Sequence, residues 1–337
     1  MSANSAVGRG APMNSVPKGE NAMSSAARGE ESVSSAVKSS GSAKIRGRNP
    51  GRADRVKRGL TSRWATVAAI IIAVLWTVPT FGLFVASFRP QADRREGWWT
   101  IFSEWMPTLD NYTTVLGNAT ISNDNLALYF VNSFIITIPG TIFPLTLALM
   151  AAYAFAWIPF RGRGVLFVMV FALQIVPLQM ALIPLLQFFN GVDIGGTYLA
   201  VWIAHTIFGL PLATFLLHNF VSQIPHELVE AARVDGASHA QIFRKLIVPL
   251  SVPAIASIAI FQFLWVWNDL LVALVFSGGT AEVAPLTAKL ANMAGAFGRN
   301  EHLLPAGAFV SIIVPLIVFF ALQRYFVRGL LAGATKG

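Results

Sequence analysis

Glu230-Ala231-Ala232-Arg233-Val234-Asp235-Gly236, with Leu246-Ile247-Val248-Pro249 ten residues on, lies between two long apolar stretches. Pro225 suits the first turn of a short helix, and Glu227 and Glu230 fall early in it, where the helix dipole favours acids. Gly236 is a natural helix stop. Ser238 with Gln241 three residues later reads as a capping box that starts a second helix. Pro249 marks entry into the next apolar segment. The spacing therefore predicts a polar helix-turn-helix over 221–249, outside a membrane core. Ala231 and Ala232 are small enough to let another surface approach closely.

Composition explains why such an insert stands out. The chain has 337 residues, 55% hydrophobic and only 12% charged, with a mean hydropathy of +0.60. Soluble domains carry about 25% charged residues, so this is a membrane protein. An isoelectric point near 10.3 would suit a nucleic-acid partner, but the charge distribution argues against one. Residues 1–60 hold eleven Lys/Arg against four Asp/Glu, a net of +7, while the remaining 277 hold fourteen against twelve. The basicity belongs to a tail. The absence of cysteine excludes disulfides, thiolate metal sites and cysteine nucleophiles.

Residues 1–60 are low in complexity, with near-repeats such as Asn4-Ser5-Ala6-Val7 and Ser34-Ser35-Ala36-Val37. Such a segment buries too little apolar area to fold. Its Arg/Ser-rich character superficially matches an organellar transit peptide. The reading adopted is a disordered basic cytoplasmic tail, with residues 46–63 as a basic collar able to touch anionic lipid headgroups. The first apolar run is too long and starts too late for a secretory signal.

A membrane span needs roughly 20 apolar residues. Six segments qualify: about 64–87, 127–157, 164–189, 197–220, 250–276 and 304–327. The second is long enough to tilt, or to break near Pro139-Gly140. Basic residues orient the spans. The tail, the loop with Arg161 and Arg163, the insert with Arg233, Arg244 and Lys245, and the end with Arg324, Arg328 and Lys336 share one side, the cytoplasm. Loops 88–126, 190–196 and 277–303 carry as many acids as bases or more. Both termini and the insert are expected to be cytoplasmic.

Several chemistries are excluded. No Gly-Lys-Ser/Thr occurs, so the chain lacks a Walker phosphate loop. His226-Glu227-Leu228-Val229-Glu230 imitates a zincin helix but lacks the second His. There is no nucleophile-elbow set. His205, within the fourth span, reads as a packing hydrogen-bonder. Asn111-Tyr112-Thr113 and Asn118-Ala119-Thr120 are sequons by coincidence.

Polar groups inside a bilayer usually face the bundle interior or a cavity. The third span offers Gln174, Gln179 and Gln187; the fifth offers Gln262, Trp265, Trp267, Asn268 and Asp269. Gln262 and Trp265 share a helical face, and Asp269 lies four residues beyond Trp265 on nearly the same stripe. Aromatic rings pack on the C–H faces of a sugar and amides bond its hydroxyls. Gln262 and Trp265 are therefore read as lining a route, with Gln174 as a further candidate. Trp267, Asn268 and Asp269 fit two readings: the route, or an interfacial aromatic belt with polar groups capping the helix end. Few charges lie deep in the spans, which favours a neutral substrate over an ion relay.

From about residue 60 onward the chain resembles the second permease of the carbohydrate-importing ABC family, in its maltose and α-glucoside branch. The resemblance rests first on the EAA loop: Glu230, Ala231, Ala232, three residues, Gly236, nine residues, Leu246, one residue, Val248 and Pro249. Leu246 and Val248 replace the usual Ile and Leu conservatively. It rests also on residues 261–270, Phe-Gln-Phe-Leu-Trp-Val-Trp-Asn-Asp-Leu, and on the closing Leu-x-Ala-Gly-x-x-Lys-Gly of residues 330–337.

The resemblance implies an all-α integral protein of a bacterial plasma membrane, with six transmembrane helices and a cytoplasmic coupling-helix loop. It implies a heterodimer with a sister permease, two copies of a cytoplasmic ATPase that hold the ATP and Mg, and an extracytoplasmic sugar-binding protein. The chain itself would be no enzyme and bind no cofactor or metal. Glu230, Ala231, Ala232, Asp235, Gly236 and Pro249 would couple to the ATPase. Loop 277–303 would probe the binding protein, and residues 331–337 would reach between the ATPase subunits. The substrate would be an α-glucoside such as maltose or trehalose. Two other classes remain: an ion-coupled secondary carrier acting alone, and a non-transporting scaffold subunit. The chain shows no clear inverted repeat and few buried charges, which disfavours the carrier.

Overall fold

The computed structural model describes residues 63–95, 97–102, 107–117, 126–295 and 301–334. The predicted tail, residues 1–60, lies outside the described residues. Residues 1–73 and 74–337 are separate units, and all packing below lies within the second. Twelve helices are described: α1 Arg63–Ser87, α2 Asp110–Gly117, α3 Leu126–Trp157, α4 Arg163–Ala172, α5 Leu178–Gly191 and α6 Tyr198–Val221. Then come α7 His226–Val234, α8 His239–Ile242, α9 Val248–Trp267, α10 Leu271–Phe276, α11 Leu286–Gly295 and α12 Leu304–Ala334. Five helices are long and apolar enough to cross a membrane, or six if one bent pair counts as a span. Among the described residues there is no strand.

The third predicted span needs correction. It is a broken pair, with the axes before and after Val176-Pro177 differing by 101°. The cause is local. Pro177 has no N–H to donate, and the residue before a proline is pushed out of the helical region. Val176 accordingly has ψ 121°, and Pro177 becomes the N-cap of α5. The fifth predicted span also splits. α9 ends at Trp267, and residues 268–270 lead into the separate α10. The segment 277–303, read as a loop, contains α11. The helix of the sixth span, α12, continues to Ala334, although its membrane-spanning part ends at Gln323.

α3 does not break. It runs 32 residues through Pro139 and Pro144. Each proline removes a donor and orphans the carbonyl four residues back. In a membrane such a carbonyl must find another donor. Pro139 frees Ile135, whose carbonyl accepts from the Trp202 indole of α6 at 2.9 Å. Pro144 frees Gly140, whose carbonyl accepts from the Gln262 amide of α9 at 3.1 Å. The same device recurs in α12. Pro315 frees Ser311, and its carbonyl accepts from the Trp267 indole at 3.1 Å. Side chains from neighbouring helices thus pin three proline sites, and the pins hold α3, α6, α9 and α12 together.

Packing follows these pins. α3 lies most extensively against α6, and α9 lies against α3, α6 and α12. Three apolar clusters run along the bundle: one beneath the insert around Tyr153, Leu217 and Ile247, one around Ile136, Ala204 and Val266, and one around Trp267, Leu286 and Val310. At the end remote from the insert, Asn132 donates to the carbonyls of Ala281 and Ala284 at 2.9 and 3.0 Å. Tyr198 Oη lies 2.6 Å from both Asn132 Oδ1 and the Glu282 carbonyl and shares its one proton between them. The segment before α11 is thereby stitched to α3 and α6.

Candidate functional site

Two regions concentrate the residues singled out by sequence. The first is the insert. α7 ends in a full Schellman motif: the Ala237 N–H donates to the Ala232 carbonyl at 2.9 Å and the Gly236 N–H to Arg233 at 3.0 Å. Gly236 has φ +79°, a region that penalises β-branched residues most. Asp235 is the C-cap, its N–H bonded to the Ala231 carbonyl. Both arms of the capping box form: Gln241 N–H to Ser238 Oγ at 3.4 Å, and Ser238 N–H to Gln241 Oε1 at 2.8 Å. Pro225 occupies the N-cap of α7 rather than its first turn.

The second half of the insert differs from expectation. It is not a separate helix. α8 passes through a π turn at Phe243–Ile247 directly into α9, with the Val248 N–H bonded to the Phe243 carbonyl five residues back. Pro249 sits in the first turn of α9, where its missing donor does little harm. The insert is therefore continuous with a membrane span.

α7 is clamped to the bundle. The last carbonyls of a helix lack internal partners, and that of Trp157, ending α3, accepts from Arg233 Nη2 at 3.2 Å. The Trp157 indole donates to the Val221 carbonyl at 3.2 Å and its ring meets His226 at 4.7 Å. Tyr153 Oη and His239 Nδ1 share a hydrogen bond of 2.8 Å. Val229 is buried, and Ala232 packs inward on the same cluster, so only Ala231 of the two alanines faces out. The outward face carries Glu227, Leu228, Glu230, Ala231 and Val234, the last 87% exposed. Val234, at the end of α7, is the most exposed large apolar residue of the described structure.

The second region is a cavity of about 770 Å³, within the range of ligand pockets. It is bounded by the break after α4, by α6 and by α9. Gln174, Gln262 and Trp265 line it together, with Phe208 and Phe261 among its apolar walls and no charged residue in the lining. Gln262 has a second duty as the pin on Gly140. Its amide passes so close to α6 that a Cβ on Gly209 would fall 2.6 Å from Nε2. Trp267, Asn268 and Asp269 are elsewhere, because α9 ends beneath them. Trp267 is buried among Phe130, Phe134 and Phe263. Asn268 bonds its own helix at the Leu264 carbonyl, 2.8 Å away. Asp269 accepts from the N–H groups of Val272 and Ala273 at the head of α10. Asn268 thus bonds the end of α9, whereas Asp269 bonds the head of the next helix. Among the described residues no group of His, Asp or Glu could hold a metal.

Residues 144–331 match the family model described as binding-protein-dependent transport system inner membrane component. An osmoprotective compounds uptake permease of Synechocystis sp. is 54% identical over 277 residues, 80% of this chain and 91% of that one. An alpha-glucoside transport system permease of Rhizobium meliloti is 55% identical over 235 residues, 68% of this chain and 60% of that one. An arabinooligosaccharides transport system permease of Halalkalibacterium halodurans is 33% identical, covering 81% and 95%. In fold, the chain resembles a chain of a bacterial ABC transporter involved in alginate import, with TM-score 0.61 at 22% identity, covering 82% of this chain and 98% of that one. The chain belongs to this family: it is a membrane permease of the binding-protein-dependent ABC importers, as residues 230–249 led us to expect.

Proposed function

We propose that the chain forms half of the translocation pathway of an ATP-driven sugar importer and takes a neutral α-glucoside. The observation that carries the reading is the cavity, where two amides and an indole converge without any charged lining residue. Amides supply donors and acceptors for hydroxyls, and the indole and phenyl faces suit the C–H faces of a pyranose. Two relatives above 50% identity are named for an α-glucoside and for osmoprotective compounds. A disaccharide such as trehalose or maltose fits the chemistry, and trehalose is both an α-glucoside and a compatible solute.

A sister permease completes the pathway, a cytoplasmic ATPase dimer supplies the energy, and an extracytoplasmic binding protein delivers the sugar. The insert lies in the cytoplasm with both termini. The outward face of α7 docks the ATPase, with Glu230, Ala231 and Val234 at the contact. Closure of the ATPase dimer moves α7, and two routes transmit the movement. One is the Arg233–Trp157 clamp onto α3; the other is the continuous α8–α9 helix, which reaches the cavity wall. The states of the bundle shift because each makes different contacts with the closed ATPase.

The experiment is uptake into proteoliposomes holding this chain, its sister permease and their ATPase, with the binding protein added outside. Labelled trehalose and maltose should accumulate only with ATP inside, and collapse of ion gradients should leave uptake intact. Accumulation that follows the ion gradient and ignores ATP would instead establish the carrier reading.

A further inference from the structure

His205 of α6 is fully buried, and the transport reading above leaves it unused. Its ring faces two acceptors. Nδ1 is 2.9 Å from the Val201 carbonyl one turn back. Nε2 points at Asp269 Oδ2 from 3.5 Å, which is longer than a hydrogen bond, and it has no other partner. A buried nitrogen left so costs stability unless another arrangement satisfies it. Asp269 is the charged side chain on that side of the ring, and its carboxylate is already held by the N–H groups of Val272 and Ala273. The ring also stands edge-on to Trp265, centroids 5.6 Å apart.

The location matters as much as the geometry. α6 and α9 run in opposite directions, so the cavity lining on α6 starts at Ile207 and that on α9 ends at Trp265. His205 and Asp269 lie just beyond both, at the end remote from the insert. They join α6 to the junction between α9 and α10, next to Trp265, the last cavity residue on α9. A small relative movement of the two helices is enough to make or break the His205–Asp269 bond.

We propose that His205 and Asp269 form a latch over the cavity end remote from the insert: the single N–H of the ring is donated from Nδ1 to the Val201 carbonyl in the open state, and from Nε2 to Asp269 Oδ2 in the closed state of the transport cycle. His205 is thus a positioning residue acting through Asp269 and Trp265 rather than through contact with substrate. The inference rests on the importer reading for its place in a cycle, but not for the physical contact.

The test uses the assembled transporter and exploits the cysteine-free chain. Asn268→Cys places a thiol at an exposed position beside the latch. Its labelling rate by a membrane-impermeant maleimide is measured with and without His205→Leu. Because His205→Leu can disturb packing, Asp269→Ser is the second variant: Ser still caps α10 but is too short to reach His205. Both variants should raise labelling roughly fivefold, the size of one buried hydrogen bond lost from the closed state. His205→Gln, which keeps a donor on a reaching side chain, should return it to within about twofold of the parent. ATP hydrolysis without binding protein should rise in parallel. Parent-like labelling in both His205→Leu and Asp269→Ser overturns the latch. If labelling rises while uptake by the unsubstituted complex proves independent of ATP, the latch stands and the importer reading falls.

Discussion

Gln262 donates its amide to the Gly140 carbonyl at 3.1 Å, the carbonyl that Pro144 has deprived of its helical donor. One side chain is therefore both a wall of the cavity and the repair of a proline defect in a helix 122 residues away. This makes a specific prediction. Gln262→Leu leaves a buried carbonyl without a donor, which costs about 1–3 kcal/mol. In a Pro144→Ala background the new Ala N–H satisfies the same carbonyl, so the further cost of Gln262→Leu should shrink to well under half. Thermal aggregation midpoints of the four detergent-solubilised chains close the double-mutant cycle. Strict additivity would show that the bond carries no such energy.

The turn after α7 gives a second prediction. Gly236 holds φ +79° and its N–H closes the Schellman motif. Gly236→Val forces a β-branched residue into that region and should release α7, abolishing most uptake while membrane insertion survives. Gly236→Asn tolerates left-handed geometry and should keep at least about half of it. Since no atom lies within 4 Å of a Cβ built there, sterics outside the backbone do not confound the comparison. Equal activity of the Val and Asn variants would separate the turn from function.

Much of this was legible in the sequence, for reasons that differ residue by residue. The capping box and the helix stop depend on neighbours within five residues, so Ser238, Gln241 and Gly236 announced themselves. Apolar length gave the spans. What sequence hid were facts set by partners far along the chain. Trp267 sits two positions from the cavity residue Trp265 on paper, yet its partner is the Ser311 carbonyl released by Pro315. The fracture at Val176-Pro177 was readable, because an X-Pro pair ends a helix, but Pro139 and Pro144 carry the same signal in an unbroken helix. In α3 the two freed carbonyls accept from Trp202 and Gln262. Asn132 escaped notice because its partners Ala281 and Ala284 are main-chain groups.

Arg233 belongs to the insert but bonds the end of α3. Arg233→Ala removes the donor from the Trp157 carbonyl and one of the contacts that join α7 to the bundle. The outward face of α7 is untouched, so ATPase should still bind while uptake per ATP hydrolysed falls several-fold. Arg233→Lys keeps a charge and a single donor and should recover part of the loss. The measurement is the ratio of sugar imported to phosphate released. A fall in ATPase binding, with that ratio unchanged, would assign Arg233 to docking instead.

The cavity makes the last prediction. Gln262 is a poor probe of substrate, because its removal also weakens the α3–α9 pin. Gln174 and Trp265 are cleaner: both line the cavity, and neither supplies one of the three proline pins. Gln174→Leu removes hydrogen-bonding capacity from the 3-10 turn Leu173–Ile175, just before the break at Val176-Pro177. A lost bond to a sugar hydroxyl costs about 0.5–1.5 kcal/mol, so the variant should lower disaccharide uptake roughly two- to tenfold and leave assembly unchanged. Trp265→Ala widens the wall beside Phe261 and should favour a trisaccharide over a disaccharide relative to the parent. Rates for mono-, di- and trisaccharides are compared at matched membrane levels, with hydrolysis in the absence of binding protein as the control. If the order of preference among the sugars is the same in all three chains, the residues serve packing alone and the sugar passes along the sister permease's wall.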